Sequence, residues 1–96
     1  MRGMEIQNPQ TGQFLPLQGA SNFRLNPSGI RGIPETYTFG VDWTQGGEGQ
    51  EILREHIRSK TLLCIKHHGQ LYTGIVEFEA DINTAHGAVM MRKQTH

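Results

Sequence analysis

The residues with the clearest chemical potential lie in the segment LLCIKHHGQLYTGIVEFEAD, residues 62–81, where Cys64 is followed by His67 and His68. A thiol and an imidazole together can bind a metal ion, or act as a nucleophile and its base. Both uses require the two side chains on the same side of the backbone. Residues three apart on a strand point to opposite faces, so Cys64 and His67 cannot ligate one ion without a bulge. We therefore predict neither a metal site nor catalysis here.

The wider distribution of ligand-type residues leads to the same prediction. Structural zinc takes four ligands, usually in two closely spaced pairs, and His56, His86 and His96 do not provide such spacing. A reactive thiolate needs an exposed, electropositive setting, whereas Cys64 lies in the most apolar strand pattern. We expect Cys64 to be a small buried residue, the adjacent histidine pair to be exposed in a turn, and His56 to pack on the apolar side of a helix.

Two further patterns resemble sites but have simpler explanations. Glu77 and Glu79 share one face of a strand, and paired carboxylates on a solvated face most often serve solubility. The segment GGEG, residues 46–49, precedes a helix, but no lysine, serine or threonine stands at P-loop spacing. We predict no catalytic residue, no cofactor and no enzymatic activity.

The elements that carry these residues are mostly strands. Gly69 separates two strand patterns and predicts a hairpin with a two-residue turn, His68–Gly69 or Gly69–Gln70, because glycine accepts the positive φ of such turns. A shorter strand, GAVMMRK, follows. The clearest strand is TYTFGVDW, in which every second residue is apolar: Tyr37, Phe39, Val41 and Trp43. We predict a mainly β (α+β) fold, a small barrel or sandwich.

The segment QEILREHIRS, residues 50–59, predicts the one short helix. Its apolar face is made by Ile52, Leu53, His56 and Ile57. On the opposite face, Glu51 with Arg54 and Glu55 with Arg58 are three apart and can form ion pairs.

Bulk composition excludes several classes. The 96 residues suffice for one domain, and nine basic residues balance nine acidic ones, which disfavours a phosphate-binding surface. The single cysteine excludes an intrachain disulfide and favours a reducing compartment. No apolar run is long enough to span a membrane, and MRGMEIQNPQTG does not resemble a signal peptide. We expect synthesis in the cytoplasm, no membrane partner, and no nucleic acid contact beyond proximity.

Residues 1–35 predict an extended N-terminal arm, and residues 36–96 a small β-rich domain. In the arm, turn signals alternate with apolar residues that occur singly or in pairs and follow neither a helical nor a strand period. We predict that the arm binds a neighbouring subunit through five apolar anchors: Phe14, Leu15, Leu17, Phe23 and Leu25. Trp43 is predicted as a further partner contact, since aromatic residues are enriched at interface cores.

The energies favour an assembly over a monomer. Complete burial of five apolar anchors is worth roughly 7 to 15 kcal/mol, whereas ordering 35 residues costs on the order of 1 kcal/mol or more for each residue. Anchors alone therefore cannot fix the arm. Backbone hydrogen bonds to a neighbour's sheet edge would have to supply the rest.

The pattern of residues 36–92 resembles the head-completion or stopper proteins, head–tail connectors of tailed bacteriophages, and their related tail subunits. The matching features are the strand ETYTFGVDW, a helical insertion, the segment HGQLYTGIV and a closing strand. The resemblance implies a structural protein of the virion without enzymatic activity. It also implies a homo-oligomer whose partners are other copies of the chain and other virion proteins.

Two alternatives remain open at this stage. The segment SKTLLCIKHHGQLYTGIVEFEAD is similar to Sm-like (SH3-like) RNA-binding modules, in which a first glycine forms a hairpin and a second, here Gly74, relieves a strongly bent strand. An Sm-like domain would need two more strands, Phe78 comes one residue early, and Glu79 stands where an aspartate is expected. The chain length also permits a small enzyme or a regulatory protein with no identifiable site.

Overall fold

The computed structural model of the chain describes residues 3–81 and 85–94. Its elements, in chain order, are β1 (Met4–Gln7), β2 (Phe14–Pro16), β3 (Ala20–Asn26), β4 (Thr36–Asp42), a 3-10 turn (Trp43–Gln45), α1 (Glu48–Ser59), β5 (Leu63–His67), β6 (Gln70–Asp81) and β7 (His86–Lys93). The predicted fold class, mainly β with one short helix, is confirmed.

The strands form one antiparallel sheet in the order β2-β1-β5-β6-β7-β4-β3. The predicted hairpin joins β5 to β6, with His67 paired to Gln70 across the turn. The first of the two predicted turns is the one that forms, because φ is +51° at His68 and +80° at Gly69. Positive φ at both central residues is what a two-residue type I′ hairpin requires.

The sheet curls so that its two edges come close together at one corner. β2 and β3 lie at opposite edges, yet only residues 17–19 separate them in sequence. Across a flat sheet, six strand spacings of about 4.8 Å would hold these edges about 29 Å apart. A link of this length reaches at most about 14 Å. The edges therefore converge at one corner, and the sheet takes a barrel-like shape.

The helix packs directly on this corner. Gln50 is 3% exposed, and its Nε2 donates hydrogen bonds to the carbonyl oxygens of Gln18, at 2.8 Å, and Asp42, at 2.7 Å. Gly49 lies against the same backbone, where an added Cβ would stand 3.1 Å from the carbonyl carbon of Pro16 and overlap its oxygen. The lack of a side chain at Gly49 is thus what allows the start of the helix to touch the corner.

The predicted N-terminal arm is wrong, because these residues are strands of the chain's own sheet. Met4, Ile6 and Leu17 belong to the hydrophobic core, and Ile6 is fully buried. Ile6 pairs with Ile65 of β5, while β3 pairs with β4 across the predicted boundary between residues 35 and 36. The core is shared by the whole sheet and the helix: Met4, Ile6, Leu17, Tyr37, Phe39, Val41, Leu53, Leu63, Ile65, Val76, Val89 and Met91.

The predicted helix is confirmed, although it starts two residues earlier, at Glu48. Leu53 is fully buried and His56 is 5% exposed, as the apolar periodicity predicts. The helix ends where Lys60 adopts the left-handed conformation and its N–H donates to the His56 carbonyl. That arrangement satisfies one of the last free carbonyls of the helix.

Only one of the two predicted ion pairs on the helix forms. Glu55 binds Arg58 one turn later. Glu51 does not bind Arg54, because the Arg54 guanidinium lies over the indole ring of Trp43, 4.0 Å from the ring centroid. Helix and 3-10 turn are therefore joined by a cation–π contact.

Candidate functional site

The structure places Cys64 and His67 on opposite faces of β5, as their spacing predicts. His67 lies on the face of the buried residues Leu63 and Ile65, whereas Cys64 alternates with them and is partly buried. Burial raises the pKa of the Cys64 thiol, and the nearby Lys66 ammonium only partly offsets this. The thiol is therefore protonated at neutral pH, which is the wrong state for a nucleophile.

His67 belongs to an aromatic cluster that spans the curled sheet. Its ring lies 4.8 Å from the ring of Phe23, which in turn lies 4.9 Å from Tyr72. The ring of His68 lies 4.1 Å from that of His67. Burial, and to a lesser extent His68, lowers the pKa of His67. The prediction of two exposed turn histidines holds for His68 but not for His67, which is partly buried.

Metal-ligand geometry is not found within residues 3–81 and 85–94. No three His, Cys, Asp or Glu side chains in these ranges are arranged so that they could hold one metal ion. His96, one of the three more distant histidines compared with zinc-ligand spacing, lies outside the described residues. Glu77 instead pairs with Arg92 on the adjacent strand, at 3.3 Å.

Two of the six predicted partner contacts are internal. Leu17 is 3% exposed and lies in the core, so it cannot anchor a partner in this fold. Phe23 stacks on Tyr37 at 6.0 Å within the aromatic cluster and packs against the core. Leu17 lies in the link between β2 and β3, and Phe23 lies on edge strand β3 with its ring among those of Tyr37, Phe39 and Tyr72.

The other four predicted contacts keep some exposed surface. Phe14 and Leu15 are partly buried on edge strand β2, where Lys66 Nζ lies 4.4 Å from the Phe14 ring centroid. Trp43 is partly buried beside the helix, and Leu25 is 53% exposed. Their role in partner binding remains a prediction.

Two large, exposed apolar side chains lie in the loop between β3 and β4, residues 27–35, which we call the β3–β4 loop. Ile30 is 64% exposed and Ile33 is 53% exposed. The loop is nevertheless ordered, because the Ile33 N–H donates to the Ile30 carbonyl at 3.2 Å and Ser28 Oγ bonds both backbone groups of Ile30. Its end is tied to β7, where the Lys93 N–H donates to the Glu35 carbonyl at 2.8 Å.

A second surface feature is an acidic groove of about 280 Å³ between α1 and the β1–β2 turn. The turn residues are Asn8, Pro9 and Gln10, and the helix contributes Glu48, Glu51, Ile52, Glu55 and His56, with Thr61 closing the end. Three carboxylates thus share the groove lining with the apolar side chains of Pro9 and Ile52.

The charges in this groove are only partly balanced. Glu48 and Glu51 form no ion pair with any residue that the structure describes, whereas Glu55 binds Arg58. At the floor, the Nδ1 atom of His56 lies 2.8 Å from Thr61 Oγ1. Burial lowers the pKa of His56, with Glu55 acting weakly in the opposite direction. Because the neutral histidine brings no positive charge, the groove keeps its acidic character.

Sequence reasoning missed both features for identifiable reasons. Ile30 and Ile33 are visible in the sequence as apolar residues, but the lack of a period around them predicts a long arm and not a short anchored loop. The groove needs Asn8 and Glu51 side by side, and no pattern along the sequence brings them together. Gln50 gave no signal either, since its partners lie in two other parts of the chain.

Among the described residues, no helix is long and apolar enough to cross a membrane. Comparison of the chain with models of known protein families finds no match, and comparison with curated proteins finds none either.

Proposed function

We propose that the chain is a non-enzymatic structural subunit of a tailed-phage particle, a head–tail connector, neck or tail component that assembles with copies of itself and with other virion proteins. The resemblance of residues 36–92 supports this class, and the barrel-like β domain with one helix fits it. The observation that carries the proposal is the ordered β3–β4 loop, which holds Ile30 and Ile33 in solvent.

The way in which the subunits would join differs from the one expected from the sequence. The N-terminal third is folded into its own sheet, so it cannot reach out as a long arm. The β3–β4 loop is instead a part of the N-terminal region that keeps large apolar side chains exposed. Full burial of an isoleucine side chain is worth about 1.5 to 3 kcal/mol, which gives a reason for a partner to cover Ile30 and Ile33.

The sheet edges offer a second means of contact, and they are not equivalent. β2 has three residues and ends in Pro16, which limits strand addition. β3 has seven residues and no proline, although an irregularity lies between Ser21 and Arg24. Strand addition by a partner is therefore favoured at β3, next to the β3–β4 loop.

Assembly is tested first with the purified chain alone. We expect sedimentation velocity over a wide concentration range to show a monomer converting to one defined oligomer, and electron microscopy to show rings. A variant with Ile30→Ser and Ile33→Ser should remain monomeric, while Leu71→Ser, at a side chain that is 59% exposed elsewhere, should assemble normally. A native chain that stays monomeric at every concentration would contradict assembly through self-contacts.

The place in the virion is tested separately. Antibodies raised against the chain should label tailed particles from the source that encodes it, at the junction of head and tail or along the tail. The RNA-binding alternative gives the opposite result: binding of short uridine- or adenosine-rich RNA at low salt, with no labelling of particles.

A further inference from the structure

We propose that the β3–β4 loop of one copy docks into the acidic groove beside α1 of the next copy, with Arg31 as the residue that the groove receives. This inference rests on the proposed function and names the contact through which the subunits would join.

The loop presents a positive charge between two apolar side chains. Arg31 lies between Ile30 and the turn closed at Ile33, and all three are exposed. Arg31 forms no ion pair or hydrogen bond with any described residue. Because the turn is already ordered, little conformational freedom would be lost when it binds.

The groove presents the complementary chemistry. Ile52 offers an apolar surface for the isoleucines, and Glu48 and Glu51 offer carboxylates that no described residue neutralises. A guanidinium can bind carboxylates through paired hydrogen bonds, which favours arginine as the occupant. The loop contributes no residue to the groove of its own chain.

The two surfaces use different residues, so the contact is heterologous: the loop of each copy meets the groove of its neighbour. Heterologous contacts repeat and produce a ring if the rotation closes. The charges also give the contact a distinctive salt dependence, because ion pairs at a small, solvent-accessible contact are weakened by screening.

A charge exchange tests the proposal directly. Arg31→Glu and Glu51→Arg should each raise the concentration at half assembly about tenfold or more, because each places like charges together. The variant that carries both changes restores opposite charges and should assemble nearly as well as the native chain. Sedimentation velocity at about 50 and about 500 mM NaCl should show weaker native assembly at the higher salt.

A matched control carries a charge reversal outside the two surfaces, Glu79→Lys on β6. It should leave assembly unchanged, and circular dichroism should show that every variant is folded. If both single variants assemble as well as the native chain, the docking is overturned but the proposed function stands. The same result is expected if the groove receives a segment of a different protein. The docking would also be overturned if both single variants fail to assemble and the double variant does not restore assembly. A native chain that never assembles would overturn both the docking and the self-assembly in the proposed function, while labelling of virions would still test its place in the particle.

Discussion

The buried imidazole of His56 makes the stability of this fold depend on pH. Its ring is 5% exposed on the apolar side of α1, and burial lowers its pKa below the ordinary value. The sequence predicts this packed position because His56 follows the helical period of Ile52 and Leu53. The hydrogen bond to Thr61 could not be predicted, because it depends on how the chain turns after the helix ends at Lys60.

The pH dependence of stability follows from this position. The unfolded chain binds a proton at His56 with a pKa of about 6.5, whereas the folded chain does so only at lower pH. Between these two pKa values the unfolded state binds more protons than the folded state. The contribution of His56 to stability is therefore complete above about pH 6.5, and it is lost as the pH falls towards the lower pKa of the folded state. His67, whose pKa burial also lowers, acts in the same direction.

We therefore expect the free energy of unfolding, measured with urea, to decrease from about pH 7.5 to about pH 5.5. His56→Gln should make this decrease shallower, because it removes the buried imidazole whose pKa burial lowers. A His56→Gln variant with the native slope would show that this histidine does not carry the effect.

β1 is the strand that the sequence pattern predicts least well. Only Met4 and Ile6 mark its buried face, and two apolar residues are too few for a periodicity to be recognised. Its partner, β5, lies about sixty residues later, so nothing near β1 in sequence indicates the pairing. The β5–β6 hairpin was predicted correctly because its strands are neighbours and Gly69 specifies the turn.

The role of β1 can be measured with one substitution. Ile6 is fully buried between β2 and β5, so Ile6→Ala should lower the free energy of unfolding by about 2 to 5 kcal/mol. The matched control is Ile30→Ala, which changes the same residue type at an exposed position and should cost no more than about 0.5 kcal/mol in the monomer. Equal, small effects at both positions would mean that the N-terminal segment contributes nothing to the core.

The whole molecule behaves as one unit because its first and last strands are not at its edges. β1 lies beside β5, β7 lies between β6 and β4, and the corner at residues 17–19 brings the two edge strands together. Fold class and helix were predicted from local patterns. The single sheet, its curl and the surfaces it creates depend on contacts between distant segments, which those patterns do not contain.

We expect unfolding to be a single cooperative transition. Far-UV circular dichroism in urea and hydrogen exchange of the β1 amides should report the same free energy, since β1 cannot leave without opening the core. Exchange of β1 at a much lower free energy than β5, β6 and β7 would instead indicate a leading segment that detaches independently.

Trp43 gives this chain a built-in optical reporter. It is the only tryptophan, and its indole lies beneath the Arg54 guanidinium, where the 3-10 turn meets the helix. Any event that lifts α1 from the sheet removes the cation from the ring and changes the solvent around it. Intrinsic emission can therefore follow helix docking in real time without a label, including at the moment when a neighbour occupies the groove beside the same helix.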